Sequence, residues 1–295
     1  LKGKKKAALT KQLIEVLKSN NSLQTLQIAP GFKHLVDHAA KNKMLLQLLR
    51  VLDINDNLRS TQEKAFKKML DVIKILSRYL KDYDHAFFKL VKPVTYVPAD
   101  VDLLVNARHV KRVVKTIESI KYKIVAKDPF CITLAKDDSI IDVYTYPSLG
   151  GMIFIDGQKL LKHTSETVFN NVQIRSLEPY AEAVVVAAHA IYKERIYTLN
   201  DYFTFKKRVS KKSFKLAEEL YCKGALEFAI SLNKKVDKVL LGLPYKIPMP
   251  LWFKLLIQKF CSDELTRRTS MNLIEALTNR RSGKLFLAKL TGEIY

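Results

Sequence analysis

Apolar positions along the chain change their period twice. From residue 1 to about 85 they recur at helical spacing. Leu13, Ile14, Val16 and Leu17 form one stripe, and Leu35, Ala39, Leu45, Leu46, Leu48, Leu49 and Leu52 form another over 34–52. A longer pattern over 57–83 predicts a further helix, with Ser60 or Thr61 as its cap and Glu63 in the first turn. At residue 86 the pattern shortens. The apolar run 86–91 is followed by Pro93 and Pro98, and 101–105 predicts a strand. A helix follows over 108–120, then strands over 122–126, 130–135 and 139–146, with Asp137 and Asp138 as a hairpin turn. Gly150 and Gly151 read as a turn, 159–168 as partly helical, and 172–177 as a strand. The segment 182–196 predicts a strongly apolar, buried helix in which His189 reads as a core histidine. Beyond it the helical period returns, through Phe214, Ala217, Leu220, Tyr221, Phe228 and Leu232, and then over 251–260 and 264–277.

Composition narrows the class. The 295 residues are 48% hydrophobic and 27% charged, which excludes a mostly disordered chain. There are 51 Lys and Arg against 29 Asp and Glu, a net charge of +22 that calls for a polyanionic partner. The excess is uneven, at +9 over 1–85, +2 over 86–202 and +11 over 203–295. This predicts three regions: an N-terminal helical region 1–85, a core 86–202 and a basic helical C-terminal domain 203–295. The three cysteines, Cys131, Cys222 and Cys261, are too widely spaced for a disulfide framework or a zinc site. A reducing, cytoplasmic setting is expected. The apolar run 183–188 is too short to span a bilayer, so no membrane partner is expected.

The candidate chemistry lies in Asp100-Val101-Asp102-Leu103-Leu104-Val105. Side chains alternate along a strand, so Asp100 and Asp102 share a face. Two carboxylates so close repel each other unless a cation lies between them, and such a pair is a natural seat for Mg²⁺ or Mn²⁺. Asp142 is a third acid, inside the apolar run Ile140-Ile141-Asp142-Val143-Tyr144. If its strand neighbours the first, the three could hold metal ions for an in-line phosphoryl transfer. The same spacing also fits a turn-proximal acidic pair and an edge-strand acid facing solvent.

The order of these elements, with Phe87-Phe88-Lys89-Leu90 ahead of the Asp-x-Asp strand, resembles the nucleotidyltransferase superfamily related to DNA polymerase β. Its prokaryotic nucleotidyltransferase-like branch is the nearest in pattern, over roughly 34–210. The resemblance implies an α+β fold with a small mixed β-sheet core and helical extensions at both ends. It implies that Asp100, Asp102 and Asp142 are catalytic and metal-binding, and that Lys89 and Lys92 face the phosphates of an NTP. The family usually places a glycine after its first strand. Here Leu90 and Val91 stand there, and no glycine occurs between Gly31 and Gly150.

Basic clusters flank this core: Lys206, Lys207 and Arg208 with Lys211 and Lys212, then Arg267 and Arg268, then Arg280 and Arg281. Tyr202, Phe203, Phe205 and Phe214 interleave the first cluster. Such a mix suits RNA or DNA, with cations on phosphates and aromatic rings on bases, although the same aromatics could be core. The expectation is a metal-dependent enzyme moving an NMP from an NTP to a hydroxyl, possibly on RNA. Two alternatives stay open. One is a non-catalytic nucleic-acid-binding protein on a degenerate fold of this kind. The other is a toxin-like or small-molecule nucleotidyltransferase.

Overall fold

The computed structural model describes residues 2–18 and 31–278. Four helices precede the sheet: α1 (Lys2–Lys18), α2 (Phe32–Lys41), α3 (Leu45–Val51) and α4 (Asn57–Leu80). The single stripe expected over 34–52 is two helices. The chain breaks at Asn42, whose buried amide donates to the carbonyls of His38 and Leu243, while its oxygen accepts from the Leu199 N–H. Lys43 then takes a left-handed φ of 57°. Helix α4 starts where expected, at Asn57, but with a different cap. Asp56, not Ser60 or Thr61, is its cap and accepts from the Arg59 N–H at 2.8 Å.

The sheet elements follow: β1 (His85–Phe87), β2 (Val101–Val105), helix α5 (Val110–Ser119), β3 (Lys123–Asp128), β4 (Cys131–Lys136) and β5 (Ser139–Tyr144). A small hairpin, β6 (Ser148–Leu149) and β7 (Met152–Ile153), turns at Gly150 and Gly151 with φ of 54° and 80°. The short helix α6 (Gly157–Leu160) precedes the hairpin β8 (Thr164–Phe169) and β9 (Val172–Leu177). Helix therefore accounts for only the start of 159–168. Residues Thr164–Phe169 pair as a strand with β9 instead, with Thr167 and Phe169 half-buried and Glu166 and Val168 exposed.

Seven strands form one mixed sheet in the order β3-β4-β5-β2-β1-β9-β8. β2 runs parallel to β5, β1 runs parallel to β9, and the remaining neighbours are antiparallel. Alternation along the central strands divides the core. Val101, Leu103, Val105, Ile141 and Val143 face α4 and α5, meeting Phe66, Ile73, Leu76, Val113 and Ile117. Leu104 and Tyr144 point to the other face, which packs against the C-terminal helices. Even-numbered residues of β2 and β5 thus turn away from α4 and α5, and Asp102 and Asp142 are among them.

On that second face lie α7 (Pro179–Ala188), a π-helical turn (His189–Glu194), β10 (Ile196–Tyr197), α8 (Leu199–Arg208), α9 (Lys211–Glu219), α10 (Lys223–Asp237), β11 (Tyr245–Lys246), α11 (Met249–Ser262) and α12 (Glu264–Thr278). Apart from Glu182, α7 is apolar on every side, and it is buried from Ala181 to Ala188, as its sequence requires. α12 closes over the small hairpin. Its Thr266 donates to the Ile153 carbonyl at 2.9 Å, and its Asn272 donates to the Gly151 carbonyl at 3.1 Å. The fold is the α+β arrangement expected from the sequence, a mixed sheet with helical segments before and after it. Among the described residues, no helix is long and apolar enough to cross a membrane.

Candidate active site

β2 and β5 bring the three acids together. Their parallel register sets Asp102 beside Asp142, and Asp100 stands at the bend entering β2, two residues earlier on the same face. One carboxylate oxygen from each of Asp100, Asp102 and Asp142 lies within 4.8 Å of the others. Three carboxylates at this separation repel one another. A hard divalent cation coordinated by oxygen relieves that repulsion, and Mg²⁺ or Mn²⁺ suits such a donor set.

Each acid has a different environment. Asp102 is 7% exposed. Its Oδ1 receives no well-aligned hydrogen bond, and its compensation is the Lys89 ammonium, 2.8 Å away. Burial pushes the Asp102 carboxyl up to about 7; Lys89 opposes that rise and Asp100 adds to it. Asp142 is held by donors: its Oδ1 accepts from the Thr133 hydroxyl at 2.6 Å and its Oδ2 from the Tyr144 hydroxyl at 3.2 Å. Lys193 donates in turn to the Tyr144 oxygen at 2.9 Å. These bonds fix the Asp142 carboxylate toward its neighbours. An Asp102 oxygen compensated only by an ammonium, beside an acid held by two hydroxyls, fits a site that accepts a cation.

Lys89 follows β1 in a left-handed backbone conformation, φ 59°, one residue ahead of Leu90 and Val91. Its backbone N–H donates to Glu182 Oε2 at 3.1 Å, and its carbonyl accepts from the Tyr96 hydroxyl. Its Nζ lies 3.3 Å from His189 Nε2 and over the rings of Phe88 and Tyr144. Burial acts to lower its pKa, but the charges of Asp102 and Asp100 outweigh this and raise it. Lys92 pairs with Glu182 at 3.4 Å with both side chains buried, and burial lowers the lysine.

The acids and lysines line one cleft of about 490 Å³, walled also by Lys43, Tyr96, His189, Lys193, Glu194, Asn200 and Asp201. Sequence reasoning did not single out Lys43, Lys193, Glu194 or Asp201, and it took His189 for a core residue. His189 instead lies at the cleft wall, with Glu194 Oε1 3.5 Å from its Nε2. The signal was present in the segment 182–196, where Glu182, His189, Lys193 and Glu194 interrupt an otherwise apolar helix. The π-helical turn at 189–194 aims the last three into the cleft.

The basic residues named from the sequence do not share one environment. Lys206 is paired with Asp237 at 2.6 Å and also donates to the Tyr202 hydroxyl. Arg208 is half-buried in the field of Glu182. Lys207, Lys211 and Lys212 are exposed, with Lys212 over the Tyr180 ring. Arg267 donates to the carbonyls of Phe260 and Cys261, and Arg268 pairs with Glu264. Arg280 and Arg281 lie outside the described residues. Tyr202 and Phe205 are core residues that present no face for base stacking, whereas Phe214 is exposed.

No protein-family model matches the sequence, and no curated protein matches it. Among solved structures, the chain is similar to the lincomycin-bound crystal structure of the lincosamide antibiotic adenylyltransferase LnuA. The identity is 21%, over 49% of this chain and 94% of that chain, with a TM-score of 0.33.

Proposed function

We propose that this protein is a metal-dependent nucleotidyltransferase, moving an NMP from an NTP to a hydroxyl acceptor. The observation that carries the reading is the convergence of three carboxylates within 4.8 Å in a cleft that also presents lysines. Asp100, Asp102 and Asp142 would hold Mg²⁺ or Mn²⁺, which supplies charge stabilisation for in-line transfer at the α-phosphorus. Lys89 and Lys92 would face the nucleotide phosphates. Lys89, which pairs with Asp102 at 2.8 Å, would turn to a nucleotide phosphate, and Asp102 would then be free to hold the metal. Asp142, oriented by Thr133 and Tyr144, would receive the acceptor's hydroxyl proton.

Calorimetric titration with each NTP, with and without Mn²⁺, tests this reading. Binding that needs the metal and is lost in Asp102→Asn, with the circular dichroism unchanged, supports it. Metal-independent binding, or equal binding by the variant, contradicts it. A second reading has its own observation. The Lys89 backbone N–H, next to the step at Leu90 and Val91 expected to meet phosphate, is already bonded to Glu182. This favours a nucleic-acid-binding protein without catalysis, for which the same titration would show no metal-dependent nucleotide binding.

A further inference from the structure

A second concavity opens beside the acidic cleft and shares two of its walls, Lys43 and Glu194. It is about 460 Å³ and lies between the start of α1, the end of α2 and the β10–β11 pair. Lys6, Lys41, Lys43, Arg195 and Lys246 line it against the one carboxylate of Glu194. Its floor is apolar: Ala40, Ile196 and Pro244.

Five cationic side chains here face a single carboxylate. Burial first, then the nearby Lys41, lowers the Lys6 pKa. His38, behind the groove, is pushed down to about 4 by burial and then by Lys6 and Lys41. Arg195 adds an independent observation. It is only 5% exposed, its Nε has no hydrogen-bond partner, and its Nη1 rests against the Met249 sulfur. Among the described residues no carboxylate forms an ion pair with it. A buried guanidinium in that condition is costly unless an anion arrives. Its backbone is left-handed, φ 55°, at the C-cap of the π-helical turn.

An apolar floor with cationic rims matches one unit of a polynucleotide, a flat base or sugar joined to a phosphate. A groove that continues into the acidic cleft matches a strand whose end enters that cleft. We propose that this groove seats a single-stranded polynucleotide, with a phosphate on Arg195, Lys41 and Lys246 and its terminal hydroxyl directed past Lys43 toward the three carboxylates. That the strand is the acceptor rests on the nucleotidyl-transfer reading above; that the groove binds it does not.

Fluorescence anisotropy of end-labelled single-stranded RNA and DNA dodecamers, across a salt series and without NTP, tests the groove. The variants are wild type and Lys41→Gln/Lys246→Gln, both substitutions being at exposed positions. Loss of two phosphate contacts should weaken binding at least about tenfold and flatten the log K against log salt slope by about 1.4. Metal-dependent NTP binding should be the same in both proteins. The RNA and DNA arms decide which strand is preferred. Three results overturn the proposal: oligonucleotide binding within twofold in the double variant, no binding by wild type, or equal binding of polyglutamate. A failure of NTP binding in wild type, with the oligonucleotide response intact, would sink the nucleotidyl-transfer reading and leave the groove standing.

Discussion

His38 offers a quantitative test of the charge arrangement around the groove. The side chain is 7% exposed on α2, and its Nε2 lies 3.1 Å from the Thr10 hydroxyl of α1. Burial, Lys6 and Lys41 together lower its pKa from 6.5 to about 4. The fold therefore disfavours the protonated ring. In the unfolded chain the imidazole takes a proton below about pH 6.5. The contribution to stability is complete above that pH, declines as the pH falls from 6.5 to about 4, and is gone below it. At roughly 1.4 kcal/mol per pH unit, the whole loss is about 3 kcal/mol. His38→Gln retains a polar partner for Thr10 and does not titrate. Urea unfolding would be followed by the fluorescence of Trp252, the only tryptophan and a buried one. Between about pH 7.5 and about pH 4.5, wild type should lose about 2.5 kcal/mol more than His38→Gln. Equal losses in the two proteins would refute the reasoning. In Lys41→Gln the pH of half-loss should move upward, because one of the two cations is gone.

Other consequences concern the cleft and its supports. Glu182→Ala removes the partner of buried Lys92 and the acceptor for the Lys89 N–H; chemical denaturation should show a loss of about 3–5 kcal/mol. A Cβ at Gly157 would stand 2.2 Å from the Thr145 carbonyl oxygen, so Gly157→Ala should cost about 1–3 kcal/mol in the same assay. Lys89→Met removes the ammonium that shares the carboxylates, and Mn²⁺ binding without nucleotide, read by electron paramagnetic resonance, should tighten about tenfold, or 1.4 kcal/mol. Weaker Mn²⁺ binding in that variant would show that Lys89 does not compete with the metal.

The central part of the site was legible in the sequence because it depends on the period of a strand. Asp100 and Asp102 must share a face of any strand through 101–105, and Asp142 stands out as an acid among apolar residues. Their meeting was not legible. It depends on β2 pairing with β5 in the register Asp102 to Asp142, and the sheet order is not sequential. His189, Lys193 and Glu194 escaped because a π-helical turn re-aims residues that a regular helix would bury. The break at Asn42–Lys43 escaped because Lys43, not a glycine, takes the left-handed turn. The stretch 159–168 reads as partly helical because the alternation over 164–169 is weak, and only pairing with β9 makes it a strand. Arg195 could not be found from sequence as a groove residue, since its neighbours Lys6, Lys41 and Lys246 come from distant segments.

The most direct test of the central claim is the fate of the phosphorus atoms. The protein would be incubated with Mg²⁺ or Mn²⁺, total cellular RNA, and each NTP labelled in turn at the α- or the γ-phosphate. Label from the α-position should appear on the acceptor, with pyrophosphate released and the γ-label found only there. Asp102→Asn should transfer nothing. Transfer of the γ-label to the acceptor, or α-label transfer undiminished in Asp102→Asn, would contradict a nucleotidyl transfer run by these three carboxylates.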